Sequence, residues 1–162
     1  MTHPTVAKLA QNRTKLLGVV STLSEDELDR RLRDGWTIRE MLTHLLNAEE
    51  DHCRISAVIA RGESDRLPKT IDIDTYNAER LAARGRLDRS ELLSALAAQR
   101  ERTLALFNSL SESQLALSGP HPALGEMTVG NIFRVIAVHE QMHTRDIETA
   151  LGRASPAPTI LT

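Results

Sequence analysis

The sequence predicts an all-α fold, a four-helix bundle with a long crossover connection between its second and third helices. Three observations predict it: helix-start signals recur along the chain, strand signals are nearly absent, and apolar residues repeat at spacings of three and four. A Ser, Thr or Asp followed three residues later by Glu or Gln forms a capping box, in which each side chain satisfies an amide the other end of the turn leaves unpaired; a flanking apolar pair staples the turn. Ser24 with Glu27, Thr37 with Glu40, Asp88 with Glu91 and Ser111 with Gln114 all fit. Their staples are Leu23 and Leu28, Trp36 and Met41, Leu87 and Leu92, and Leu110 and Leu115. Thr128 marks a fifth start, stapled by Met127 and Ile132, with Asn131 where the box would want Glu or Gln.

Four long segments follow. The first covers 4–20, with Val6, Leu9, Leu16, Leu17 and Val20 on its apolar side. The second covers 37–61 and stops at Gly62. The third covers 88–110 and carries Leu92, Leu96, Leu104, Phe107 and Leu110. The fourth covers 128–151 and stops at Gly152, a residue suited to the left-handed turn that closes a helix. The connection 62–87 opens with the breaker-rich stretch Gly62 to Pro68 and holds a short helix starting near Asp74. Its length suits a crossover along the bundle, so the second and third helices are expected to run parallel. Residues 1–152 read as one domain, and 153–162, with Pro156 and Pro158, as an extended tail.

Composition narrows the function classes. A chain of 162 residues, 41% apolar and 26% charged, is a globular mixture, and its net charge of −2 offers no broad footprint for nucleic acid or anionic membrane. No stretch approaches the roughly 18 apolar residues of a spanning helix. The first residues lack the basic-then-apolar pattern of a secretory leader, and the single cysteine, Cys53, cannot form an internal disulfide. A cytoplasmic location is the expectation. Cys53 reads as a small buried apolar residue. His3 and His121, in a leader and a loop, read as solvated.

The chemistry concentrates in the fourth segment. His139 and His143 stand four apart, on one helix face and about one turn apart, and two imidazoles so placed can converge on one ion. Val129, Ile132, Ile136, His139, His143 and Ile147 share a three-or-four spacing that points the pair into the bundle. Such a pair alone is more often two satisfied histidines than a metal site, so a third ligand is needed. His44 is the candidate, flanking the stripe Ile38, Met41, Leu45, Ala48 and Ile55; on periodicity alone it reads equally as an edge-of-core histidine. His52 lies about 12 Å further along the same helix, so one ion cannot take both.

The run Trp36 to His44, with Met127-Thr-Val-Gly-Asn-Ile-Phe133 and His139-Glu-Gln-Met-His143 downstream, resembles the DinB-like (YfiT-like) superfamily over residues 4–151. The stretch Asp72 to Asn77 resembles the segment many members carry between helices two and three. The resemblance implies a four-helix bundle holding one divalent metal ion, zinc or nickel, on His44, His139 and His143. It further implies a small-molecule substrate, a homodimer, and either a hydrolase or a transferase using a low-molecular-weight thiol such as mycothiol or bacillithiol. Three histidines leave the fourth position of a tetrahedral ion open, the arrangement of catalytic zinc. A non-catalytic bundle acting as a dimeric binding or stress-response protein is the alternative.

His139-Glu140-Gln141-Met142-His143 also spells the His-Glu-x-x-His of zinc proteases, with Glu140 as general base. No histidine follows His143 as a third ligand, Asp146 and Glu148 sit too close on the same helix, and strand signals for a substrate edge are missing. Glu40 and Asp146 are candidates to orient the imidazoles of His44 and His143, with a capping residue and a solvated charge as their plainer readings. Asn77 could reach the site from the connection, with a structural helix-start residue as its plainer reading. Trp36 reads as a staple. Arg80, Arg84, Arg86 and Arg89 could meet an anionic substrate, though scattered arginines usually mark a wet face.

Overall fold

The computed structural model describes residues 2–153. Along the chain it forms α1 (Pro4–Ser21), α2 (Glu25–Leu28), α3 (Ile38–Ala60), a 3₁₀ turn at Ser64–Arg66, α4 (Ile73–Arg84), α5 (Arg89–Ser109), α6 (Glu112–Leu115), strands β1 (Ser118–His121) and β2 (Gly125–Thr128), and α7 (Val129–Ala150). The four long helices begin and end within one residue of the expected segments. The expected tail, beyond Arg153, lies outside the described residues.

The local signals act as read. All four capping boxes close in both directions; at α3 the Thr37 amide donates to Glu40 Oε2 at 2.8 Å and the Glu40 amide donates to Thr37 Oγ1 at 3.1 Å. Thr128 caps α7 by accepting from the Asn131 amide. Gly62 and Gly152 end α3 and α7 at φ +73° and +68°, where an L side chain would be strained. The closures are hydrogen bonds from the Glu63 amide to Val58 O and from the Arg153 amide to Glu148 O.

α1 and α3 each pack against both α5 and α7. Arg100 donates to Leu9 O while Arg13 donates to Leu96 O, so α1 and α5 run antiparallel. Arg39 donates to Leu87 O at the start of α3, and Cys53 meets Thr103 further along, so α3 and α5 run parallel, as the long connection implies. α7 returns antiparallel to α3, with His44 beside His139.

Two apolar clusters fill the bundle. One gathers Leu16, Val20, Leu42, Leu46, Leu92, Leu96 and Ile147; the other gathers Leu9, Ile55, Ile59, Phe107, Ile132 and Phe133. Each fully buried Leu, Ile or Phe contributes roughly 1.5–3 kcal/mol. Between them lies a layer of charge, one residue from each long helix: Arg13, Glu49, Arg100 and Glu140, with side chains at most 4% exposed. This layer corrects the expected core stripe of α7. The buried face runs through Ile136, Glu140, Thr144 and Ile147, and His139 and His143 stand at its edge.

The antiparallel hairpin of β1 and β2 was not expected. It pairs Ser118 with Thr128 through to His121 with Gly125. Its residues, Ser-Gly-Pro-His and Gly-Glu-Met-Thr, carry little strand propensity, so tertiary packing selects it. Gly119 permits that packing, because a Cβ there would lie 2.6 Å from Ser64 Oγ and 2.8 Å from Ile59 Cγ1.

Candidate metal centre

The three expected histidines meet. His44 comes from the second turn of α3, and His139 and His143 from successive turns of α7. His44 Nε2 lies 3.2 Å from His139 Nε2, and His143 Nε2 lies 3.1 Å from the same atom. Three nitrogens about 2.0–2.1 Å from one tetrahedral ion would stand roughly 3.3 Å apart, so the spacing fits. At most one proton can lie between each facing pair, and a cation satisfies all three lone pairs together.

Electrostatics keeps the site ready for a cation. Burial, then the neighbouring His143 and His52, lowers the pKa of His44 to about 4. Burial, then His44 and His143, lowers that of His139 to about 3. Both rings are therefore neutral at pH 7, the form that ligates. His143 Nδ1 lies 2.9 Å from Asp146 Oδ2; with the proton on Nδ1, Nε2 presents its lone pair to the cluster. Asp146 therefore orients His143. Glu40 does not orient His44, because its carboxylate closes the α3 cap. Trp36 staples α3 and also packs edge-on against His44, centroids 5.2 Å apart.

A cavity of about 330 Å³ opens beside His44 and His139. α3, the connection after Leu67, the tip of the hairpin and Val135 of α7 wall it, and Asn77 lines it, as expected of that stretch. His52 also lines it, with its ring centroid 6.5 Å from that of His139 and outside the three-nitrogen cluster. His121 corrects the reading as solvated: it is 5% exposed and stacks beside His52 at 5.0 Å. The signal that would have placed it is the hairpin, which the sequence hides. His3 is exposed, as expected, and caps α1 by accepting from the Thr5 amide.

The remaining candidates have structural partners. Glu140, the would-be general base of a protease, accepts from Arg13 and Arg100 inside the core. Arg80 and Arg84 pair with Glu50, Arg86 with Asp29, and Arg89 donates to Leu23 O. They pin α4 and its exit to the bundle. The Cys53 thiol meets Thr103 Oγ1 at 3.3 Å, and burial pushes its pKa up to about 11, so it is not a nucleophile at neutral pH.

An up-down-down-up bundle with three histidines converging at one flank defines a recognisable class. The chain belongs to the DinB superfamily, whose pattern matches residues 8–147. A protein of Oceanobacillus iheyensis, whose name assigns it provisionally to the metal-dependent hydrolases, is 27% identical over 91% of this chain and 84% of its own. The solved structure of YfiT from Bacillus subtilis, described as a probable metal-dependent hydrolase with an unusual four-helix bundle topology, superposes with a TM-score of 0.74 at 22% identity; the match covers 92% of this chain and 85% of that one. A mycothiol-dependent maleylpyruvate isomerase matches with a TM-score of 0.75 at 15% identity, over 88% of this chain and 59% of that one. Among the described residues no helix is long and apolar enough to cross a membrane.

Proposed function

We propose that His44, His139 and His143 hold one divalent metal ion, zinc or nickel, and that the protein is a metal-dependent hydrolase or thiol transferase acting on a small molecule. The observation that carries this reading is the convergence of three Nε2 atoms, from two distant segments, at 3.1–3.2 Å around His139. Neutral imidazoles suit either metal and leave its charge uncompensated, which favours an anionic fourth ligand. A divalent ion held by His44, His139 and His143 would supply Lewis-acid chemistry, lowering the pKa of water or of a low-molecular-weight thiol.

The chain's own residues do the rest. Asp146 fixes the ring of His143, burial holds His44 and His139 unprotonated, and the adjoining cavity receives the electrophile out of bulk water. The cavity favours an enzyme over a non-catalytic bundle, because it opens at the imidazoles themselves. Glu140, spent on two arginines in the core, disfavours the protease reading.

Elemental analysis of the purified protein tests the proposal, with His44→Ala, His139→Ala and His143→Ala alongside. One ion per chain is expected in the wild type and less than a tenth of that in each variant. Trp36, the single tryptophan, sits against His44, so nickel added to metal-free protein should quench its fluorescence in the wild type and not in His44→Ala. Full occupancy in all three variants would sink the assignment.

A further inference from the structure

The cavity beside the histidine cluster is walled and rimmed by apolar residues. Ile55, Leu67, Ile71 and Val135 line it, and so do Ile73 and Leu124, which are 43% and 52% exposed and stand at its mouth. Large apolar side chains left exposed around a concave surface gain by being covered, and a ligand with an apolar body covers them. On α3 the lining runs from His44 to Ile55, about 16 Å of helix, so the cavity extends away from the cluster. At about 330 Å³ it lies near the small end of ligand pockets.

Charge enters this lining at two places. His44 and His139 stand at one end, where the proposed ion would bring positive charge with no carboxylate beside it. Arg54 lies about 15 Å further along α3. Its side chain is 59% exposed and pairs with Asp51 at 3.3 Å, so its charge is already shared with a carboxylate and reached by water. Asp51 also accepts from the Tyr76 hydroxyl at 3.0 Å and from Arg80 at 3.3 Å. An anionic group therefore gains most at the histidine end. The part of the ligand that follows along the wall gains by being apolar.

We infer that the cavity binds a small monoanion with an apolar body of several carbons, its anionic head at the histidine cluster and its body along Ile55, Leu67 and Val135. The substrate or product of the proposed reaction belongs to that class. The inference deepens the proposed function and rests on it for the cation that receives the head; the wall that takes the body stands without it.

Saturation-transfer NMR titrations of the zinc-loaded full chain test it, with acetate, butyrate, hexanoate, 1-hexanol and adipate as probes. Each methylene added from acetate to hexanoate should tighten binding about fourfold, the transfer worth of one buried CH₂. Hexanoate should bind about tenfold more tightly than 1-hexanol, which has the same six carbons without the charge. It should exceed adipate, which adds a second carboxylate at the far end of the chain, by a similar factor. Leu124→Asn combined with Ile73→Asn makes the mouth polar, and should weaken hexanoate about fivefold while acetate stays within about twofold. In wild-type protein the methyl resonances of Ile55 and Val135 should move with hexanoate and 1-hexanol and not with acetate, a readout independent of any variant's folding. A flat affinity along the carboxylate series, adipate or 1-hexanol as tight as hexanoate, or a chain-length gain that survives the double variant would overturn the inference. A wild type that takes up no metal would instead sink the functional reading, which elemental analysis reads separately, and 1-hexanol binding to that metal-free protein would still test the wall.

Discussion

Two polar clusters share neighbouring residues of α7 and behave in opposite ways. Glu140 belongs to the charged layer inside the bundle; His139, one position earlier, belongs to the histidine cluster at its flank. In the layer two arginines meet two glutamates. Arg100 reaches Glu49 at 2.8 and 3.1 Å and Glu140 at 2.9 Å, and Arg13 bridges the same two carboxylates. Each arginine also donates to a carbonyl of the facing helix, and Thr103 donates to Glu49 at 2.6 Å. Charge and hydrogen bonds both close. In the histidine cluster, nitrogen faces nitrogen and no carboxylate lies between. A polar cluster that satisfies itself holds the fold; one left electron-rich at a cavity mouth awaits a ligand.

Stability should separate the two most sharply. Glu140→Ala leaves two buried guanidiniums sharing one carboxylate, and losing one partner of such a group costs about 3–5 kcal/mol. His139→Ala should cost the metal-free protein under about 1 kcal/mol, since it removes a ring whose Nε2 faces two others. Urea denaturation of the two variants reads the contrast. Comparable losses would break the distinction between a structural and a ligand-seeking cluster.

Acid should separate them next. Burial raises the pKa of Glu49, but hydrogen bonds from Arg100, the charges of Arg13 and Arg100, and the Thr103 hydroxyl outweigh it, so the net pKa falls below the ordinary 4.5. The unfolded chain takes up this proton first, so the contribution of Glu49 is complete above about pH 4.5 and lost as pH falls further, through its folded value. His44 and His139 are lowered from 6.5 to about 4 and about 3. The unfolded state therefore binds their protons first, and metal-free protein should lose stability from about pH 6.5 downward. Thermal melts of metal-free protein between pH 7 and 5 should slope downward, and His44→Gln should flatten them. Saturating metal should steepen acid lability, because protons then compete with the ion.

How far the sequence discloses each cluster follows from the range of the interactions. Capping boxes are complete within four residues, so Thr37 with Glu40 and Asp88 with Glu91 announce α3 and α5 without tertiary help. His139 and His143 are legible for the same reason, and residue 44 joined them through its resemblance to a family. Glu140 is not legible: its place in the core depends on arginines in α1 and α5, 127 and 40 residues away in sequence. A charged residue on an otherwise apolar stripe reads as solvated until its partners are known. His121 is hidden likewise, because its burial depends on a hairpin of weak strand formers whose Gly119 packs against Ile59. The partners of Arg80, Arg84, Arg86 and Arg89, in α3 or near α2, are likewise too distant in sequence to be read from it.

Asp146 sharpens the comparison on a smaller scale. It is half exposed, and its hydrogen bond to His143 Nδ1 is the only carboxylate contact of the cluster among the described residues. Asp146→Asn should weaken metal binding about tenfold, the low end for such orienting partners, with little change in the stability of the metal-free protein. Competition with a calibrated chelator measures it. An unchanged affinity would show that α7 alone holds the ring in place.

The smallest effect belongs to the cap of the helix that carries His44. Thr37→Ala removes the acceptor of the Glu40 amide and should cost about 1 kcal/mol, or roughly 2–4 °C in Tm for a chain of this size. His44 lies two turns into α3, and Leu42, Leu45 and Leu46 anchor that part of the helix in the core. Fraying at the cap should therefore stop before the ring, and metal affinity should stay within about twofold of wild type. Were affinity to fall with the cap, the cluster would draw its geometry from the helix start rather than from the packed core behind it.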